Sequence, residues 1–210
     1  LGCPKNRVDT ERLLGSLGVA LVPVESPDEA ELVFINTCAF IQPATEESVR
    51  TIAQAIADIE ELPKRPLLAV AGCLVGRYHA EDLAPELPEV DLWLDNSDLE
   101  AWPAMLARKL GLPEPTVPGR ILSTGPSYAW LKISDGCRHA CSFCAIPNIR
   151  GGHRSHCKDM IVREARALLD QGVKELNLVA QDLTEWGCDL DGKQDLRTLL
   201  DGLLPLQGLE

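Results

Sequence analysis

The stretch "DGCRHACSFCAIP", residues 135–147, places Cys137, Cys141 and Cys144 within eight positions. Three thiolates at that spacing can hold a borderline or soft metal. Zinc would take a fourth ligand, for which His139, His153 or His156 is near in sequence, but structural zinc sites usually pair two C-x2-C hooks. An electron-carrying iron–sulfur cluster uses four cysteines, and this run has three. A cluster held by three would leave one iron open to a substrate or cofactor.

A second set is dispersed. Cys3 follows Gly2, Cys38 follows the apolar run "VFINT", and Cys73 follows Gly72 at the end of "LLAVAG", with 35 residues separating each from the next. In a parallel α/β sheet, residues just past the carboxyl ends of strands share one crevice, so these three thiols are expected to converge. The alternative is three small buried hydrophobes. Convergence is preferred because glycine precedes two of them and lets the backbone approach a bulky ligand. Cys157 and Cys188 lie outside both patterns and carry no expected ligand role. The eight cysteines are not read as a disulfide framework, since long amphipathic helices and apolar strands need no such staples.

The elements that must position these residues alternate. Apolar runs at 19–24, 32–40, 66–75 and 90–94 read as strands, and 43–62 and 98–111 as helices, with Pro43 in a first turn and Gly111 as a C-cap. Residues 112–127 are rich in proline and poor in periodicity, the pattern of a linker. Beyond it, 128–137 and 173–182 read as strands, 158–172 and 195–204 as helices. The expected fold is α/β, with a parallel-sheet domain over 1–111 and a βα series over 128–210.

The chain has 210 residues, 45% of them apolar, which suffices for packed cores. Its net charge of −12, spread along the chain, repels phosphate backbones and favours basic partners, so direct nucleic-acid binding is not expected. No membrane-length apolar window and no tripartite leader is visible, from which we expect a cytoplasmic protein without membrane contact.

The segments "LGCPKNRVDTERLLGSL", "INTCAFIQPATEESVRTI", "AGCLVGRYHAEDLAPELPEVDLWL", "YAWLKISDGCRHACSFCAIPNIRGGHRSH" and "ELNLVAQDLTEWGCDL" resemble, in this order, the methylthiotransferase family of radical S-adenosylmethionine enzymes. Within it, "GCPKN", "GCLVGRY" and "VAQDLTEWGCDL" are most similar to the branch that modifies a ribosomal protein. The resemblance implies an N-terminal methylthiotransferase domain followed by the first part of a radical S-adenosylmethionine barrel, and a partial sequence. It implies two [4Fe-4S] clusters: one on Cys137, Cys141 and Cys144, whose open iron binds S-adenosylmethionine, and one on Cys3, Cys38 and Cys73, where sulfur is held before insertion. One-electron cleavage of the sulfonium would give a 5′-deoxyadenosyl radical, chemistry that belongs to the cofactor. That radical would abstract hydrogen from the β-carbon of an aspartate in the twelfth protein of the small ribosomal subunit, and methylthio transfer would follow. Phe143 would lie near the adenine; a simple core aromatic is the bland reading, and the two are compatible. Gln181 and Asp182 are candidates for the methionine end of the cofactor, and Arg150 and Arg154 for its carboxylate or the substrate. An electron donor such as flavodoxin or ferredoxin is implied. The alternatives are a tRNA adenosine methylthiotransferase, a non-catalytic iron–sulfur electron carrier and a zinc-stabilised interaction module.

Overall fold

The computed structural model describes residues 1–18, 21–115, 119–125, 127–192 and 194–209. It divides into two compact units, Leu1–Ile121 and Leu122–Glu210, so the division falls inside the 112–127 stretch.

The first unit is built on a three-stranded parallel sheet in the order β1 (Leu32–Thr37), β2 (Leu67–Gly72), β3 (Leu92–Asp95). Central β2 is covered on both faces: Leu68, Ala69, Val70 and Ala71 are fully buried, as its unbroken apolar run requires. Ala69 and Ala71 pack with Leu13 and Leu17 of α1 (Pro4–Leu17) and with Trp102 and Leu106 of α5 (Trp102–Leu110). Their small side chains leave room for Trp102, whose Nε1 donates to the Asp95 carbonyl at 2.7 Å and whose ring meets Phe34 edge-on at 6.5 Å. Leu68 and Val70 alternate to the other face, and α2 (Gln42–Glu60) buries Ile52 and Ile59 after starting with Pro43 in its first turn. Two short helices, α3 (Cys73–Tyr78) and α4 (Ala80–Leu83), join β2 to β3. Past α5, Arg120 lays its guanidinium on the buried Glu11 carboxylate of α1 at 2.6 and 2.9 Å, and Gly15 makes the notch there, since a Cβ on it would meet the Arg120 backbone.

Four expectations change here, the first being the strand at 32–40, which ends at Thr37. Of the strand at 19–24, residues 19 and 20 lie outside the described residues and 21–24 form no strand; Pro23 lacks a ladder donor and Val22 is 80% exposed. The run at 66–75 stops being strand at Gly72, where φ of 99° turns the chain into α3. The helix at 98–111 begins only at Trp102, because Asp95 and Asp98 first accept the Ser97 and Ala101 N–H groups in a tight turn; Gly111 does end it, at φ 69° and ψ 23°.

The second unit pairs β4 (Tyr128–Lys132) in parallel with β7 (Glu175–Val179), the connection carrying α7 (Lys158–Asp170). The strand expected over 128–137 is interrupted: Ser134–Asp135 forms β5, antiparallel to β6 (Arg154–Ser155), with the short α6 (Ile146–Arg150) between them. After β7 comes α8 (Leu196–Leu203), capped by Asp195, whose Oδ1 accepts from the Thr198 N–H at 2.8 Å. Leu131, Ile161, Leu168, Trp186 and Leu199 form the centre of its core. The molecule is α/β, as expected. Among the described residues, no helix is long and apolar enough to cross a membrane.

Candidate metal centres

In the first unit, Cys38 directly follows β1 and Cys73 directly follows β2, and their predecessors Thr37 and Gly72 are paired in the sheet register. Adjacent strand ends thus bring the two cysteines to the same edge. Cys3 comes by another route, as the extended residue before α1. Asn6, in the first turn of that helix and 1% exposed, makes the connection. Its Oδ1 accepts from both the Cys3 and Cys73 thiols, at 3.6 and 3.7 Å. Its Nδ2 donates to Asn36 Oδ1 at 3.0 Å and to the Thr37 carbonyl at 2.6 Å, which orients the amide with its oxygen toward the sulfurs. Asn36 returns a bond to the Asn6 carbonyl at 2.9 Å. Ser48 of α2 accepts from the Cys38 N–H at 3.0 Å and donates to the Cys38 carbonyl at 2.7 Å, fixing the third cysteine's backbone.

Glycine precedes three of the six candidate cysteines, each time with positive φ: 97° at Gly2, 99° at Gly72 and 67° at Gly136. A Cβ on Gly2 would lie 3.3 Å from the Cys38 Cβ, and one on Gly72 would lie 2.7 Å from the Thr37 carbonyl oxygen. Without side chains, Gly2 and Gly72 let the chain pass this close to Cys38 and Thr37, which brings the backbones carrying Cys3, Cys38 and Cys73 together. Three cysteine sulfurs are a donor set that a soft metal ion or an iron–sulfur cluster takes. Ion-sized spacing among the described residues is found only at His153, Cys188 and Asp189, whose ligand atoms lie within 4.8 Å of one another. Cys188 and Asp189 are exposed there, and the Cys188 thiol is held above its ordinary value, by desolvation first and then by the Asp189 and Glu185 carboxylates, which disfavours the thiolate that a metal ion needs.

In the second unit, Cys137, Cys141 and Cys144 share the loop after β5. The Cys144 N–H donates to the Cys141 carbonyl at 3.0 Å and the Cys137 N–H to the Gly151 carbonyl at 3.2 Å, so the loop is closed at both ends. Gly136 permits this closure, since a Cβ on it would strike the Gly152 carbonyl oxygen. Beneath lies a buried charge group. Asp135 accepts from Lys132 Nζ at 2.9 Å and from Arg150 Nη1 at 3.0 and 2.9 Å, and its Oδ1 also takes the Gly136 N–H at 2.9 Å. Burial opposes ionisation of Asp135, but the Lys132 and Arg150 cations overcome it and hold the carboxyl well below its ordinary range.

In the sequence, Arg150 is a candidate for the cofactor carboxylate or the substrate, with a solvated arginine as the alternative. It is instead 2% exposed and bound to Asp135, because the helix α6 turns it inward. Phe143 is 90% exposed, which overturns the core-aromatic reading. Gln181 and Asp182 follow the carboxyl end of β7. Asp182 Oδ1 accepts from the Thr184 hydroxyl and N–H at 2.6 and 2.9 Å and its Oδ2 meets His139 Nε2 at 3.2 Å. The Thr184 bonds first, and His139 after them, hold its carboxyl below the usual range. Arg154 is exposed on β6, and Cys157 precedes α7. Asn6, Asn36 and Asn96 were not anticipated; a polar residue buried beside a sulfur has no signature in periodicity, and while the cysteines of "GCPKN" and "INTC" hint at the first two, Asn96 in "DNSD" has no cysteine near it in sequence.

The model of the family described as "Uncharacterized protein family UPF0004" matches residues 1–95. Similarity to individual proteins runs along the whole chain. "Ribosomal protein uS12 methylthiotransferase RimO" of Nitratidesulfovibrio vulgaris (strain DP4) is 68% identical over 209 residues, covering 100% of this chain and 49% of that protein. The protein of the same name from Oleidesulfovibrio alaskensis is 62% identical, again over 100% and 49%. That of Aquifex aeolicus is 47% identical over 100% of this chain and 46% of its own length. The chain spans about half the length of the curated relatives it matches.

Proposed function

From a chain that resembles the ribosomal-protein methylthiotransferases along its whole length, we propose a radical S-adenosylmethionine methylthiotransferase that acts on the β-carbon of an aspartate in the twelfth small-subunit ribosomal protein. The observation that carries the reading is the sorting of six cysteines into two sets of three, each introduced by a glycine of positive φ, with Cys157 and Cys188 in neither. Three ligands per set suit clusters with one open iron. Cys137, Cys141 and Cys144 would hold one [4Fe-4S] cluster, and Cys3, Cys38 and Cys73 a second. The first would supply one-electron chemistry toward S-adenosylmethionine, which an unactivated C–H bond demands because acid–base groups cannot reach it.

The residues of the chain then have separable tasks. Asp135, Lys132 and Arg150 hold the strand that delivers Cys137. Phe143, projecting from the loop between Cys141 and Cys144, offers a ring face to the adenine. Asp182, ionised at neutral pH and oriented by Thr184 and His139, together with Gln181, is available to the ammonium end of the cofactor, and Arg154 to a carboxylate. Asn6 joins Cys3 and Cys73 while their thiols are protonated, and Asn36 and Ser48 fix the backbone around the second set. A flavodoxin- or ferredoxin-type donor would supply the electron, and the proposed setting is the cytoplasm.

The test is full-length enzyme, reconstituted anaerobically and given S-adenosylmethionine, a reductant and either the ribosomal protein or tRNA. One methylthio group on an aspartate of the ribosomal protein is the expected product. Modification of tRNA alone would reassign the substrate, and absence of bound iron would remove the reading altogether.

A further inference from the structure

Asn96 opens the tight turn after β3 and is 1% exposed. Its Nδ2 donates to the Cys73 sulfur at 3.7 Å, within the range for a hydrogen bond to sulfur. Its Oδ1 is buried without a partner among the described residues. A half-satisfied amide in this position is less favourable than an apolar side chain of the same shape, so packing does not account for it. The bond to sulfur does. Cys73 lies between two asparagines of opposite polarity: Asn6 presents an acceptor, which only the protonated thiol can use, and Asn96 presents a donor, which suits a thiolate. Asn6 cannot exchange its ends without giving up its bonds to Asn36 and Thr37.

We infer that Asn96 is a positioning residue for the Cys73 ligand, whose N–H···S bond raises the reduction potential of the cluster held by Cys3, Cys38 and Cys73. The inference rests on the reading of that set as a cluster site. Donors to a ligating sulfur stabilise negative charge on it, and the reduced cluster carries one more negative charge than the oxidised one, so the donor favours reduction. Its loss should make the cluster harder to reduce and leave the set of ligands unchanged.

The experiment uses the full-length protein in which Cys137, Cys141 and Cys144 are replaced by alanine, so that a single cluster reports, and adds Asn96→Leu or Asn96→Asp. Iron and sulfide are counted, and reduction is followed by redox titration with paramagnetic resonance. Both variants are expected to load as the parent does, with the reduction equilibrium shifted about fivefold to tenfold toward the oxidised form; tenfold is ~59 mV for one electron. The Leu variant keeps the test open if the added carboxylate of Asp prevents loading. An unchanged potential in a fully loaded Leu variant would overturn the inference and leave the proposed function standing. Loss of iron from both variants while the parent loads would make Asn96 a structural residue only, which also overturns it. A parent that takes up no iron would instead remove the cluster reading on which the inference depends.

Discussion

Asp135 is 4% exposed and bound by two cations, so its ionised form is stabilised by the fold. A carboxyl depressed in this way contributes stability that is fully present above the unfolded value of about 3.9 and is lost as pH falls toward the folded one. Asp135→Asn removes one buried counter-charge shared by Lys132 and Arg150 and should cost about 3–5 kcal/mol at neutral pH in denaturant unfolding. The gap from the parent should narrow as pH drops below about 4. Gly136, next in sequence, has a different vulnerability. Gly136→Ala needs a Cβ at φ 67° and against the Gly152 carbonyl, so a loss of more than about 1 kcal/mol is expected. Iron at the Cys137 set should fall in that variant while iron at the Cys3 set persists, as element analysis of the reconstituted protein would reveal.

Among the elements, those governed by apolar periodicity were legible: α2, α5, α7 and α8 and the cores of β1, β2 and β3 lie where the patterns put them. Helix α1 was not foreseen. Its inward side carries Asn6, Asp9 and Glu11 as well as Val8 and Leu13, so the polar residues that serve the cysteine pocket and Arg120 erase the apolar repeat. Helix α3 was hidden for the opposite reason, since "CLVG" continues the apolar run of β2 and only Gly72, with its positive φ, breaks it. The two cysteine sets were legible as residues, but the asparagines that orient them were not. If the sets are separate sites, the reconstituted protein should bind on the order of eight irons, and the Cys137, Cys141, Cys144→Ala variant about half of that. Cys157→Ser and Cys188→Ser should leave the iron count unchanged. Trp102, locked between α5 and the sheet, tests the packing itself: Trp102→Ala should lower stability by about 3–5 kcal/mol, measured by denaturant unfolding.

At the scale of these 210 residues, the charge of −12 bears on the proposed partner. A basic ribosomal protein is attracted by such a field and tRNA is repelled by it, most strongly at low ionic strength. In the full-length enzyme, the apparent KM for the ribosomal protein should therefore rise with added salt while the turnover at saturation changes little. A KM indifferent to salt would mean that recognition does not draw on this charge.

The sheet pairing of Thr37 with Gly72 also determines which changes in chain length the first unit can survive. The 35-residue intervals between its cysteines have no chemical meaning of their own, because most of each is helix and loop. One residue added between Glu60 and Leu67, outside α2 and β2, leaves both strand ends side by side. The same residue added within β2 slips every side chain after it to the other face and carries Cys73 away from Cys38. Homologues should accordingly vary in the spacing of these cysteines through insertions in the connections, and hold constant only the number of residues from each strand's last ladder pair to its thiol.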